Sequence, residues 1–306
     1  MTKPRLAGVI AASVTPVTAG GEIDVARLAR HIGRLHADGC DYVSTFGTTG
    51  EGASLGSAQK AAALHELAEA GIDMARQLPS VMTPTVADAA LSLRTAGLLG
   101  CRAALVLPPF YYPFWTDAGI VDFFAAATEI AERDAPPVDL VLYNIPQFSG
   151  VPYSPDLVAM MIDRFGDRVI GMKDSTGDLD NGIMLAKTFP ALSIFTGDDR
   201  VLPHLLRAGG AGIIGGMPNL FAADLRRIVA DPDSAEAAEA SEKSARRIEV
   251  LDGNGGLAAI KAALAIYGDD PGLSQVMPPL RALDDATARR VVAMVDETGF
   301  AYAHGE

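Results

Sequence analysis

The chain has 306 residues, 49% of them hydrophobic, which suits one large domain or two. Acidic residues outnumber basic ones 38 to 25 and the basic ones form no long cluster, which argues against a nucleic-acid surface. No apolar run is long enough to cross a bilayer, and Met1-Thr2-Lys3-Pro4-Arg5 opens no apolar leader, so a cytoplasmic protein with no membrane partner is expected. Cys40 and Cys101 stand far apart and form no CxxC unit, so both read as small buried hydrophobes.

In chain order, short β-rich runs alternate with longer, alanine-rich segments. The expected strands are Val9–Ser13, Tyr42–Phe46, Val81–Val86, Ala103–Leu107, Leu140–Asn144, Val169–Met172, Ser193–Thr196 and Gly212–Ile214. Between them, apolar residues near the helical period predict helices over Val25–Ala37, Ser57–Ala75, Asp88–Leu99, Asp117–Arg133, Pro155–Arg164, Leu179–Thr188 and Arg200–Ala208. Eight β-then-α repeats with apolar strands predict a (β/α)8 TIM barrel, with a doubly wound sheet as the weaker alternative. Four more helical stretches follow: Ala222–Val229, Ser234–Leu251, Leu257–Tyr267 and Asp284–Glu297. The first completes the eighth unit. The expected division is therefore a barrel over 1–230 and a small C-terminal helical extension over 231–306.

In a barrel of this kind chemistry gathers where strands end and βα loops begin. Four stretches fall there: Gly47-Thr48-Thr49-Gly50-Glu51, Pro108-Pro109-Phe110-Tyr111-Tyr112-Pro113-Phe114, Tyr143-Asn144-Ile145-Pro146, and Val169-Ile170-Gly171-Met172-Lys173-Asp174. The first suits a carboxylate, held by backbone N–H groups and two hydroxyls. The plain alternative, only a turn and helix start, is the weaker fit, and as a phosphate loop it lacks the required lysine. Tyr112 and Phe114 read as an aromatic plug or subunit contact. Lys173 is the unusual residue, a lysine closing an apolar strand. Burial penalises its charged form, and a neutral lysine forms Schiff bases with carbonyls; the plain alternative is a snorkelling lysine paired with Asp174 or Asp178. Tyr143, one strand away, has both packing and proton transfer open to it.

Together, Gly47-Thr48-Thr49-Gly50-Glu51, Tyr143-Asn144-Ile145-Pro146 and Gly171-Met172-Lys173-Asp174 followed by Ser175-Thr176-Gly177-Asp178 resemble the N-acetylneuraminate lyase and dihydrodipicolinate synthase superfamily of Schiff-base aldolases. The order and spacing match from about Gly8 through the barrel. The resemblance implies a carbon–carbon lyase that cleaves or forms a 2-oxo acid through a pyruvate imine on Lys173. It implies that Thr48 and Thr49 bind the pyruvate carboxylate and that Tyr143 relays a proton. By the same match Tyr111 crosses into a neighbouring subunit's site and completes a hydroxyl relay with Thr48, in a homotetramer built as a pair of dimers. No cofactor and no metal ion is expected.

The subfamily is less plain. Where the synthases carry an arginine two residues after the Tyr-Asn-x-Pro proline, this chain has Phe148. Pro109–Phe114 and Ser149-Gly150-Val151 are instead similar to the neuraminate lyases. Where the sialic acid enzymes place a sugar-binding Asp-Glu pair, this chain has Asp199-Arg200, and Gly215 opens the loop where a sugar-binding serine would stand. Asp199 is expected to hold a hydroxyl; Arg200 either favours an acidic distal group or points to solvent. Ser175 and Gly215 complete the expected substrate contacts. The reading is an aldolase for a 2-oxo-3-deoxy acid, with a dihydrodipicolinate synthase, condensing pyruvate with aspartate semialdehyde, as the alternative and a non-catalytic 2-oxo-acid-binding protein as a further one. A metal-dependent aldolase is disfavoured because His31, His36, His65, His204 and His304 are scattered. Lys261, in a helical run after the barrel, reads as a surface or packing residue.

Overall fold

The structure, a computed structural model, describes residues 5–302. Residues 1–4 and 303–306, with His304 and the end of the expected extension, lie outside the described residues. Strands and helices alternate as β1 (Gly8–Ala12), α1 (Val25–Ala37), β2 (Tyr42–Ser44), α2 (Ser57–Glu69), β3 (Ser80–Val81), α3 (Val86–Leu98), β4 (Ala104–Val106) and α4 (Asp117–Ala131). Then come β5 (Leu140–Asn144), α5 (Pro146–Ser149), α6 (Pro155–Phe165), β6 (Val169–Asp174), α7 (Leu179–Thr188), β7 (Ser193–Thr196), α8 (Leu202–Arg207) and β8 (Gly212–Gly215). Helices α9 (Pro218–Ala230), α10 (Ala235–Gly253), α11 (Leu257–Tyr267) and α12 (Asp285–Asp296) follow.

The strands are parallel and ordered β2-β1-β8-β7-β6-β5-β4-β3. The two ends of that order meet. Val43 of β2 bridges Gln77, and Leu78 N and Ser80 N donate to the Val43 and Thr45 carbonyls at 2.8 and 2.9 Å, closing the expected TIM barrel.

Period-two alternation divides the core into two clusters. Ile10, Leu105, Leu107, Val141, Tyr143, Phe195 and Ile214 fill the barrel, whereas Val9, Val106, Leu140, Leu142, Met172, Ile194 and Ile213 face the helices. Since Leu142 and Met172 are paired and both point outward, the next pair along, Tyr143 and Lys173, points inward. At Gly171 a Cβ would lie 2.6 Å from the Ser193 carbonyl oxygen, so a side chain would push β6 from β7 just before the lysine.

Helix starts follow side-chain caps. Asp24, Thr85, Thr116, Ser154, Asp178, Ser234 and Asp284 each accept a backbone N–H from the first turn of the helix they open. The Thr85 cap corrects one expectation: the run Val81–Val86 is strand only to Val81, because Pro84 has no N–H for a ladder and Thr85 already begins α3 at Val86. Helix α2 stops at Glu69 rather than Ala75 because Gly71 takes φ +85°; a separate single turn covers Met74–Arg76. Strand β6 runs two residues past Met172, so Lys173 lies within it. Both cysteines are free and buried, and burial pushes their thiols up to about 12.

Candidate active site

Lys173 is buried, with 5% of its surface exposed, and its Nζ stands 4.2 Å from the centroid of the Tyr143 ring. The Tyr143 hydroxyl in turn lies 2.9 Å from Thr48 Oγ1. Amine, phenol and threonine hydroxyl thus form one chain across β6, β5 and the loop after β2. Asp174 is not the counterion of Lys173: it accepts from Asn144 Nδ2, Thr176 Oγ1 and Asn181 Nδ2, each at 2.9 Å. Asp178 is used as the cap of α7. Among the described residues Lys173 has no ion pair, which removes the plain alternative of a salt-bridged surface lysine.

The Thr48–Thr49 loop is tight and strained. Phe46 and Glu51 adopt φ +59° and +56°, a left-handed conformation costly for residues with a Cβ. Gly52 is obligatory, since a Cβ there would fall 1.7 Å from the Phe46 carbonyl oxygen. Four contacts hold the loop from behind. Thr15 Oγ1 donates to Gly50 O at 2.7 Å and Lys60 Nζ donates to Gly52 O at 3.0 Å. Glu51 forms an ion pair of 2.6 Å with Lys261 of α11, both side chains fully buried, and its other oxygen accepts from Met277 N at 2.5 Å. Lys261 also donates to Thr15 O at 2.9 Å. Thr49 Oγ1 faces the loop after β8: a Cβ on Gly216 would lie 3.1 Å from it.

A profile of the dihydrodipicolinate synthetase family matches residues 5–298. The chain belongs to that family. A DapA-like lyase of Chloroflexus aurantiacus is 31% identical over 94% of this chain and 95% of its own length. A 4-hydroxy-tetrahydrodipicolinate synthase of Mycolicibacterium paratuberculosis is 30% identical over 95% and 96%. The crystal structure of dihydrodipicolinate synthase from Agrobacterium tumefaciens superposes with a TM-score of 0.87 at 30% identity, covering 95% of this chain and 99% of that one. Membership makes the protein a carbon–carbon lyase of the class I aldolase superfamily.

Against that family frame the remaining expected residues divide. Ser175 stands two residues past Lys173 with its buried Oγ unpartnered, beside Gly197 of the neighbouring loop. Gly215 ends β8, paired with Ala11. Tyr111 is not gathered into this site within one chain. It is 73% exposed and stacks edge-on with Tyr112, 5.3 Å between centroids. Asp199 is withdrawn from the mouth: it is 1% exposed and accepts from Ser244 of α10 at 2.5 Å, and burial pushes its carboxyl up to about 7. Arg200 forms a forked pair with Asp198, at 2.9, 3.1 and 2.5 Å, in half-exposed surroundings.

Two features escaped sequence reasoning. Lys261 is neither a surface nor a simple packing residue, and its signal was a lone cation inside Leu257-Ala258-Ala259-Ile260-Lys261-Ala262-Ala263-Leu264, which implies a buried partner. Asn219 had no signal. Its Oδ1 accepts from Val14 N at 3.0 Å and lies 2.8 Å from His31 Nε2, while its Nδ2 donates to Ala12 O and Gly216 O, tying β1 to the loop after β8.

Proposed function

We propose that Lys173 forms an imine with pyruvate, or with the pyruvate part of a 2-oxo acid, and that the protein cleaves or forms the C3–C4 bond of that acid. The chain Lys173–Tyr143–Thr48 carries this reading: a desolvated primary amine free of any carboxylate, with a phenol against it and a hydroxyl on the phenol. In this reading the Lys173 amine attacks the C2 carbonyl, a carbinolamine forms, and Tyr143 delivers the proton with which its hydroxyl leaves as water. The protonated imine then accepts the electron pair of the C3 bond that breaks. Thr48, Thr49 and the N–H groups of their loop hold the pyruvate carboxylate, and Ser175, whose buried Oγ has no partner within the chain, is a further substrate contact in this reading. Asp199 and Arg200, engaged as they are with Ser244 and Asp198, contribute by shaping the loop.

The exposed Tyr111 fits a residue that serves a neighbouring copy, in a cytoplasmic homotetramer of paired dimers, reaching the Thr48 hydroxyl of the other site. A second reading, synthesis of 4-hydroxy-tetrahydrodipicolinate from pyruvate and aspartate semialdehyde, is favoured by the name of the 30%-identical relative. Both share the imine. Borohydride reduction in the presence of pyruvate, followed by peptide mass mapping, should place a pyruvyl adduct on Lys173 that Lys173→Ala abolishes. No adduct with pyruvate or other 2-oxo acids would overturn the imine on Lys173 and leave a binding protein or an enzyme of another kind.

A further inference from the structure

Cations that stand far apart in the sequence meet in the helical layer. Among the described residues a cavity of about 340 Å³ lies between α1, α9, α10 and the stretch 299–302 that follows α12. Neither Lys173, Tyr143 nor Thr48 lines it. Four cations do, Arg34, Arg227, Lys243 and Arg247, against two carboxylates, Asp38 and Asp224. In a chain of net charge −13 this is a local reversal of sign.

Ion pairing does not use up that charge. Asp38 serves Arg34 at 3.0 Å, and Lys243 pairs with the exposed Glu239 at 2.6 Å. Asp224 has to serve two guanidiniums: its Oδ1 accepts from Arg227, and its Oδ2 accepts from Arg247 at 2.6 Å. The four cations and their three carboxylate partners therefore leave one positive charge over, on the group formed by Arg227, Asp224 and Arg247. Arg247 is its buried member, 1% exposed. Its Nε donates to Thr298 Oγ1 at 2.9 Å and its Nη1 to Asp224, while its Nη2 makes no hydrogen bond among the described residues. An anion seated against Arg247 would give those N–H groups a charge-assisted bond.

The walls are aromatic. The Arg247 guanidinium carbon stands 4.5 Å from the Phe221 centroid and 5.3 Å from that of Phe300, and the two rings meet edge to face at 4.8 Å. Arg34 lies over the Tyr302 ring in the same way, at 5.2 Å. Guanidiniums laid on rings offer their N–H edges to a ligand. Phe221, Phe300 and Tyr302 all line the cavity, and Leu220 stands with them. Such walls suit a flat apolar body, and one excess charge suits one carboxylate.

We propose that this cavity is a binding site for a small aromatic monocarboxylate, separate from the site at Lys173. The test is isothermal titration calorimetry of the full chain with 2-naphthoate, 2-naphthamide and acetate. 2-Naphthoate should bind with a Kd of about 1 mM or tighter, and roughly tenfold or more tightly than the amide, which lacks the charge, or acetate, which lacks the rings. Arg227→Gln removes the excess charge and leaves Asp224 to Arg247 alone; Ala223→Glu sets a carboxylate into the lining. Both positions are exposed, so each variant should keep the parent's melting point and lose roughly tenfold or more of the affinity for 2-naphthoate. Should one variant fail to fold, the other decides. No binding of 2-naphthoate, equal binding of the amide or of acetate, or parent-like affinity in either folded variant would overturn the inference. None of these results bears on the imine at Lys173, which borohydride trapping reads separately.

Discussion

The buried pair between Glu51 and Lys261 should be the most sensitive non-catalytic point in the molecule. Glu51→Gln keeps shape but leaves Lys261, fully buried, with Thr15 O as its remaining strong acceptor. Removing one partner of a buried ion pair typically costs about 3–5 kcal/mol. An unfolding entropy of about 2.1 cal/mol/K per residue over 306 residues converts that to a fall in Tm of about 5–8 °C. The loss should not stop at stability. Glu51 closes the strained loop that presents Thr48 and Thr49, so the KM for pyruvate should rise more than kcat falls. The assays are thermal unfolding by circular dichroism and pyruvate saturation of imine trapping. Lys261→Met should be similarly destabilised, whereas the double variant Glu51→Gln/Lys261→Met should lose less than the two single losses added, by about 0.5–3 kcal/mol of coupling. Single variants as stable as the parent, or strictly additive losses, would refute the reasoning.

Tyr143→Phe retains the ring against Lys173 and removes the hydroxyl bonded to Thr48, so the melting point should hold while kcat falls by roughly 10²–10⁴; steady-state kinetics with any accepted aldehyde checks it. Two buried groups should give opposite pH slopes. Burial raises the Asp199 carboxyl from 3.8 to about 7, so its contribution to stability is full below about 3.8 and is lost as pH rises through 7. Burial, aided by Arg34, lowers His31 from 6.5 to about 3, so its contribution is full above about 6.5 and is lost as pH falls toward 3. Each spans roughly 4 kcal/mol, and in the parent they largely cancel between pH 4 and 7. Melts over that range should show Asp199→Asn losing stability on acidification and His31→Gln losing it as pH rises; parallel profiles would show that these groups are not the ones titrating.

Much of the barrel was legible because period-two apolar runs and side-chain caps are local signals. Leu140–Asn144, Ser193–Thr196, Val25–Ala37, Leu179–Thr188 and Leu257–Tyr267 have the same bounds in the sequence reading and in the structure. Boundaries failed where a proline or a cap overrode a β-rich run, as at Val81–Val86. That Lys173, Tyr143 and Thr48 would lie close together was legible because each sits at or near the end of its strand on one face of the barrel. The fates of Asp199 and Arg200 were not, because they depend on Ser244, 45 residues away, and on the neighbouring Asp198 outcompeting any ligand for the guanidinium. A pairing such as Glu51–Lys261, 210 residues apart, leaves in sequence only the oddity of a charge among alanines.

The closure of the barrel through Val43 and Gln77 also decides how copies of this chain can meet. Among the described residues, a sheet with both ends joined leaves no unpaired outer strand of the barrel as a backbone template for another chain to extend. Self-assembly has to proceed through side chains. Tyr111, Tyr112 and Phe114, between 73% and 92% exposed on one loop, form the aromatic patch best suited to it. Assembly of this kind can be tuned by point substitution in a single loop while the β-ladder that holds Lys173 stays untouched.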